Sequence, residues 1–254
     1  MKITSKFLVI ILIVSAVALL GACSGTATNG TGNNAAAKTP VANAQQPVDM
    51  SKLPIGAQPP NMKGGPNAYV TIEEFADFQC PTCATVYGIM NTIHSMYGSK
   101  IKFVYRNYPL TQIHKNSYDA SVAAEAAYLQ DSNKFWDMQN QLFTNQKAWS
   151  DLSDPNPTFK GYAEKIGLDV AKWENDVAGL LAKNRVNADM ERGRALNITG
   201  TPTIYINGKS VEFKQFNVDA IKALIDAELA KSPAAQNPPP PPAATPTANT
   251  NAKK

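Results

Sequence analysis

The sequence contains few of the residues that build metal centres or disulfide frameworks. Its 254 residues include three cysteines and two histidines, too few for a multi-disulfide scaffold or a histidine-rich metal site. Net charge is also small, at +4, and two of the lysines, Lys2 and Lys6, lie in a predicted signal peptide. Because nucleic-acid-binding proteins usually carry a strong basic excess, we expect no nucleic acid among its partners.

Proline is scarce in the central part of the chain. Six prolines lie within residues 40–66, seven within residues 232–254, and five between these two segments. The flanks are also poor in large apolar side chains, so they cannot bury enough surface to offset the entropy of ordering. The distribution predicts one folded domain, residues 67–231, between a disordered tether at 23–66 and a Pro-rich disordered tail at 232–254.

Residues 1–22 are typical of a bacterial lipoprotein signal peptide. A positive start precedes an apolar run of 14 residues, Phe7 to Leu20, which suits a signal sequence better than a membrane span. Leu20-Gly21-Ala22-Cys23 then resembles the lipoprotein cleavage box, in which the cysteine carries the lipid. We therefore expect lipidation of Cys23 and an extracytoplasmic, membrane-anchored protein, at the cell surface or in a periplasm, where disulfides persist. An ordinary cleaved signal with an incidental cysteine is the alternative.

The central part alternates between strand and helix patterns. Runs of β-branched and aromatic residues predict strands, apolar residues at helical spacing predict helices, and Asn207-Gly208 predicts a tight hairpin. The resulting order is βαβ, a helical block at about 115–197, then ββα, an α/β fold. The predicted strands and main helices are Tyr69–Phe78, a helix from the CPTC sequence to Tyr97, Ile101–Tyr108, Thr158–Ile166, Asp169–Asn197, Thr203–Ile206, Lys209–Phe213 and Val218–Ala230.

The sequence Cys80-Pro81-Thr82-Cys83 lies where the first predicted strand gives way to a helix. Unpaired N–H groups and the helix dipole favour an anion there, and Pro81 suits the first helical turn. We therefore expect a depressed pKa for Cys80, whose thiolate would attack disulfides. Cys83, one turn further on, is placed to resolve the mixed disulfide.

Three other interpretations of the cysteine pair are open. The pair would form a structural disulfide, half of a zinc site, or two inert buried thiols. Zinc would need His94 and His114 as further ligands, and their spacing does not match the usual finger pattern; we expect no metal site. Both histidines are interpreted as helix-flanking surface residues.

Four segments together resemble the DsbA-like thiol–disulfide oxidoreductases over residues 67–231. They are EEFADFQCPTC, FVYRNYPL, KFWDMQNQLF and ITGTPTIYINGK. The resemblance implies a thioredoxin fold with an α-helical insertion between its two βα halves. It implies that Cys80 is the nucleophile, Cys83 the resolving cysteine and Pro202 a cis-proline packed against the disulfide. Thr201 would then offer backbone groups to an extended substrate.

Two further features bear on the redox chemistry. Glu74 matches the acidic residue beneath the family's active site, where a buried carboxyl of raised pKa would exchange protons with Cys83; the alternative places Glu73 or Glu74 at a solvated strand edge. Asp77 is either a turn cap or a local modulator. Thr82 stands where the best-known members have histidine, so the thiolate loses a cationic neighbour and the protein is expected to be a weaker oxidant.

These features predict a membrane-tethered extracytoplasmic thiol–disulfide oxidoreductase that forms disulfides in exported proteins. Its partners would be exported substrates with free or mispaired cysteines and a membrane redox partner that resets the Cys80–Cys83 pair. No dissociable cofactor is needed, because the pair itself is the redox centre. The alternatives are a reductase or isomerase of the same fold, and a non-catalytic protein-binding module whose disulfide is structural.

Overall fold

The computed structural model describes residues 47–233 as a five-stranded mixed sheet with helices. The predicted signal peptide, Cys23, residues 23–46 of the predicted tether and residues 234–254 of the tail lie outside the described residues. The strands are β1 Asn61–Gly64, β2 Val70–Ala76, β3 Ile101–Asn107, β4 Thr203–Ile206 and β5 Lys209–Ser210. The helices are α1 Pro81–Tyr97, α2 Ser117–Tyr128, α3 Ser132–Thr144, α4 Gln146–Trp149, α5 Asn156–Lys165, α6 Val170–Ala178, α7 Leu180–Ala195 and α8 Val218–Leu229.

The sheet has the strand order β1-β3-β2-β4-β5. Strands β2 and β3 are parallel and are joined through α1, whereas β4 runs antiparallel to β2. The central strand β2 is almost wholly buried, as expected for a strand covered on both faces. The predicted thioredoxin fold with a helical insertion is confirmed, and α2 to α7 fall within the predicted span of 115–197.

Helix α1 carries the stripe of apolar side chains that the sequence predicted. Val86, Met90 and Ile93 are buried beside Cys83, three or four residues apart, so one face packs on the core. Met96, which lies three residues after Ile93 and continues the same helical spacing, is instead 48% exposed. The apolar stripe of α1 therefore ends on the ring of Tyr97, which is buried in its place.

The helical insertion packs closely because small side chains line its contacts. Five alanines of α2 are buried, and this helix lies against α3 and α7. The single helix predicted over Asp169–Asn197 is wrong, because extended backbone at Gly179 (φ −71°, ψ −177°) separates α6 from α7. Gly179 ends α6 by donating its N–H to Asn175 O at 2.9 Å.

The segment before the predicted domain is part of the fold, which corrects the predicted tether of 23–66. Residues 47–64, here called the N-terminal arm, include β1, which pairs antiparallel with β3. Ala57 N–H donates to Asp189 Oδ1 at 2.8 Å, and Arg192 Nη1 donates to Pro54 O at 2.8 Å. Backbone groups bound to buried charged residues therefore hold the arm, although it has few large apolar side chains.

The hairpin between β4 and β5 forms at the predicted turn. Asn207 and Gly208 have positive φ values of 47° and 77°, the conformation that makes this dipeptide favourable in hairpins. Strand β5 ends at Ser210 and not at Phe213 as predicted. Within residues 47–233, none of the helices combines the length and the apolar character that crossing a bilayer requires.

Candidate active site

Cys80 and Cys83 lie together at the start of α1, as predicted. Cys80 is the N-cap, with extended backbone, and Pro81 is the first helical residue. Cys80 N–H donates to Asp77 O at 3.1 Å, which closes the turn after β2. Both cysteines are free thiols; Cys83 is fully buried and Cys80 is 7% exposed. The turn thus leaves Cys80 slightly exposed and buries Cys83 completely.

The environment of Cys80 favours its thiolate. The Cys83 thiol and the backbone N–H groups of Cys83 and Thr82 donate hydrogen bonds to the Cys80 sulfur. Although burial opposes them, these donors lower the pKa of Cys80 from 9.0 to about 5. The Cys83 thiol makes the largest contribution, a side-chain hydrogen bond with Thr201 adds to it, and the two backbone donors are unpaired groups of the helix start. Cys80 is therefore largely ionised at neutral pH.

Cys83 has the opposite character. Burial, followed by the hydrogen bond to Cys80, raises the pKa of Cys83 well above its ordinary value. The donor that opposes this is Asp77 N–H, which lies 3.5 Å from Cys83 Sγ. The pair therefore consists of an ionised outer sulfur and a protonated inner one, an arrangement suited to stepwise exchange with another disulfide.

The loop before β4 approaches the outer sulfur. The Thr201–Pro202 peptide bond is cis, and Thr201 O lies 3.4 Å from Cys80 Sγ. The side chain of Thr201 is hydrogen-bonded to Cys80, and this bond also lowers the pKa of Cys80. The structure thus brings the Thr201–Pro202 peptide next to Cys80, which lies about 120 positions earlier in the sequence.

Glu74 is buried in β2, below the cysteine pair. It is 3% exposed, and burial raises the pKa of its carboxyl from 4.5 to about 8. The carboxyl lines a small pocket with Tyr105, Gln139 and His94. Glu73, on the other face of the strand, is also buried, so neither glutamate lies at a solvated strand edge.

We expect the buried carboxyl of Glu74 to give the protein a characteristic pH dependence of stability. The folded chain keeps this proton up to about pH 8, whereas the unfolded chain releases it near 4.5, so stability falls as pH rises between these values. The comparison is made in a background with both cysteines replaced by alanine. Between about pH 5 and pH 7, the free energy of unfolding should fall by about 2 kcal/mol more in the protein with Glu74 than in Glu74→Gln.

Denaturant unfolding at the two pH values measures this difference. Glu164→Gln serves as the control, because Glu164 is exposed on α5, and its stability should follow the wild-type dependence. If the free energy of unfolding changed equally with pH in Glu74→Gln and in the protein with Glu74, the carboxyl would already be ionised in the folded state.

Several contacts at the site had no signal in the sequence. Gln146 Nε2 donates to Phe78 O at 2.7 Å and to Cys80 O at 3.0 Å, so α4 holds the turn from the side of the insertion. His114, predicted as a surface residue, is bonded to the buried carboxylate of Asp77 at 2.8 Å and its side chain is 17% exposed. That part of the prediction is wrong, because the loop after β3 folds back over the turn.

A cysteine pair of unequal acidity at a helix start, next to a cis-proline loop on this sheet, defines a thioredoxin-fold redox protein. A family model described as thioredoxin matches residues 58–227, and the chain belongs to the thioredoxin family. The predicted likeness to DsbA-like oxidoreductases is confirmed by two Bacillus proteins, a probable disulfide bond formation protein D and BdbD. No cluster of three or more metal-binding side chains is present in residues 47–233.

The comparisons with known proteins differ in how much of each relative they cover. A Na(+)/H(+) antiporter NhaA 1 of Mycolicibacterium gilvum is 35% identical over 169 residues, which is 65% of this chain and 26% of the antiporter. The chain thus spans about a quarter of the length of that relative. The probable disulfide bond formation protein D of Bacillus cereus is 30% identical over 173 residues, 66% of this chain and 78% of that protein.

Solved structures give the same fold. Oxidised BdbD from Bacillus subtilis has a TM-score of 0.60 and 26% identity, covering 73% of this chain and 97% of that one. Alpha-DsbA1 of Wolbachia pipientis has a TM-score of 0.58 and 18% identity, covering 71% and 95%. The second match, at its low identity, bears on the fold alone.

Proposed function

We propose that this chain is a thiol–disulfide oxidoreductase that passes the Cys80–Cys83 disulfide to exported proteins. The observation that carries the proposal is the unequal acidity of the two sulfurs: Cys80, at the surface of the turn, has a pKa of about 5, and the pKa of buried Cys83 is well above 9.0. The names of the Bacillus relatives, one a probable disulfide bond formation protein, support the same activity.

Exchange would proceed in two steps at the outer sulfur. A substrate thiolate attacks Cys80 Sγ, the Cys80–Cys83 bond breaks, and Cys83 leaves with the electron pair and takes up a proton. A second substrate thiolate then attacks the substrate sulfur of the mixed disulfide, and Cys80 leaves as a thiolate. The substrate loses two electrons and gains a disulfide, while the protein becomes a dithiol.

The low pKa of Cys80 favours this direction. A thiol of low pKa is a good leaving group, and its thiolate stabilises the reduced protein. Both effects drive the disulfide from the protein to the substrate. A reductase of the same fold would need a less stabilised thiolate at its outer cysteine, and a module with a structural disulfide would need no thiolate at all.

The sequence that precedes the domain fits a protein held at a membrane. We propose that Cys23 carries a lipid anchor outside the cytoplasmic membrane and that a membrane redox partner reoxidises the Cys80–Cys83 pair. One support is the signal-like sequence of residues 1–22. The other is that 169 residues of this chain match part of a relative named as a Na(+)/H(+) antiporter. Thr201, whose carbonyl oxygen lies 3.4 Å from Cys80 Sγ, would contact the bound substrate together with Pro202.

The equilibrium with glutathione tests the direction of transfer. We expect the Cys80–Cys83 couple to lie nearer the oxidising limit of about −120 mV than the reducing value of about −270 mV known for this kind of protein. In parallel, the oxidised protein should form the disulfide of a reduced, unfolded model protein and itself become a dithiol. A potential at the reducing end would instead favour the reductase alternative, and the absence of any exchange would favour the structural disulfide.

A further inference from the structure

A buried carboxylate fixes the turn that carries the cysteine pair. Asp77 is fully buried and directly follows β2. Its Oδ1 accepts the N–H of Gln79 at 2.7 Å, and its carbonyl oxygen accepts the N–H of Cys80 at 3.1 Å. Its own N–H donates to Cys83 Sγ at 3.5 Å. One residue therefore orders the turn and places a donor on the inner sulfur.

The second oxygen of this carboxylate is held by the loop after β3. Asp77 Oδ2 accepts the N–H of Leu110 at 2.8 Å and lies 2.8 Å from His114 Nδ1. His114 is the side-chain partner of Asp77 within the described residues 47–233. Without His114, the carboxylate of Asp77 would be bonded to backbone N–H groups alone. A buried charged group that loses a partner draws in water or moves.

We propose that His114 is a positioning residue for disulfide exchange, which holds Asp77 so that the Asp77 N–H remains on the Cys83 sulfur as that sulfur gains charge. The proposal rests on the proposed function, since it concerns one step of exchange. Neither residue touches the substrate, and the effect of His114 reaches the sulfur through Asp77.

The step affected is the one in which the inner sulfur leaves. When an external thiolate attacks Cys80, the bond to Cys83 breaks and negative charge builds up on Cys83 Sγ. This sulfur is surrounded by apolar side chains of the core, where an unsolvated charge is costly. The Asp77 N–H is therefore a preorganised donor for the developing thiolate, in the manner of an oxyanion hole. When reduced Cys80 attacks an external reagent, Cys83 does not leave, so the Asp77 N–H takes no part in that reaction.

Reduction of the oxidised protein by dithiothreitol isolates this step. Attack on Cys80 releases Cys83, and closure of the dithiothreitol ring then follows rapidly within the mixed disulfide. We expect His114→Ala to slow the reduction by about tenfold, the effect of weakening one hydrogen bond to a charged group. His114→Asn, whose amide can occupy the position of Nδ1, should stay within about twofold of wild type. Thr111→Ala, an exposed site in the same loop, is the matched control.

A second measurement separates this effect from damage to the turn. Alkylation of reduced Cys80 by iodoacetamide at neutral pH should proceed at the wild-type rate in every variant, because Cys83 does not leave in that reaction. If His114→Ala does not fold, His114→Leu removes the hydrogen bond while filling the space, and the same result is expected.

The outcomes distinguish this inference from the proposed function. A wild-type disulfide that dithiothreitol reduces no faster than an ordinary structural one would overturn the function itself. Rapid wild-type reduction with no change in His114→Ala or His114→Leu would overturn the inference alone. Equal slowing of reduction and alkylation would also overturn it, because His114 would then only maintain the shape of the turn.

Discussion

A Cys80→Ser variant is expected to lose disulfide exchange down to the uncatalysed rate, while Cys83→Ser should accumulate a mixed disulfide with its substrate. A serine hydroxyl does not ionise at neutral pH and forms no disulfide, so the first variant lacks the attacking atom. In the second, Cys80 can still attack a foreign disulfide, but nothing inside the protein can then release the adduct. Non-reducing electrophoresis and mass spectrometry of mixtures with a disulfide-containing model protein measure both results.

The two variants control for each other. Each changes one sulfur to oxygen at the same turn, so both should fold like the reduced wild type, and thermal unfolding checks this. Exchange that persists in Cys80→Ser, or adducts that accumulate in Cys80→Ser and not in Cys83→Ser, would reverse the roles that the burial of the two sulfurs assigns. Loss of stability without loss of exchange would show that the pair is a structural disulfide.

The second large effect concerns stability and lies on the other face of β2. Glu73 is 5% exposed. Its carboxylate accepts hydrogen bonds from Arg106 Nε at 2.7 Å and from Arg192 Nε and Nη2 at 2.7 and 2.9 Å. Burial alone would raise the pKa of Glu73, but the hydrogen bond from Arg192 and the charge of Arg106 hold it below its ordinary value. The carboxylate is thus ionised between two buried guanidinium groups.

We expect Glu73→Leu to lower the free energy of unfolding by about 3–5 kcal/mol, because it leaves two buried positive charges without this partner. Chemical denaturation at neutral pH measures the change. Glu174→Ala is the matched control: it removes an exposed ion pair with Lys160, with 2.8 Å between the charged atoms, and should cost no more than about 1 kcal/mol. Similar losses for the two variants would mean that the charges around Glu73 are solvated.

The parts of the fold that sequence could predict are those with a local pattern. The β-branched run before Cys80 predicted β2 to within two residues at each end, the helical spacing after it predicted α1 to within one, and Asn207-Gly208 predicted the hairpin. The N-terminal arm was missed because its stability comes from Arg192 and Asp189, more than 130 residues away in sequence. A polar, proline-containing segment looks like a linker unless those distant partners are known.

The residues of the site also fall into a group that the sequence pattern predicts and a group that it does not. Cys80, Cys83 and the neighbouring cis-proline lie in short segments whose chemistry is visible in the sequence. Gln146 and His114 belong to a helix and a loop with no recognisable pattern, and what they do depends on contacts with backbone groups or a carboxylate 37 to 68 residues away. A single buried aspartate three residues before the motif was the one available signal, and without an assigned partner it remained ambiguous.

The N-terminal arm also determines where a mechanical load would be carried. Val48 N–H is bonded to Gly208 O at 2.9 Å, beside the β4–β5 hairpin, whereas β1 lies at the opposite edge of the sheet. The arm therefore crosses the sheet from one edge to the other. It is bonded near both edges, and Arg192 holds its middle through a hydrogen bond to Pro54 O. Tension entering the chain at Pro47 would therefore load the contact with Gly208 and then the contact with Arg192 before it reached β1.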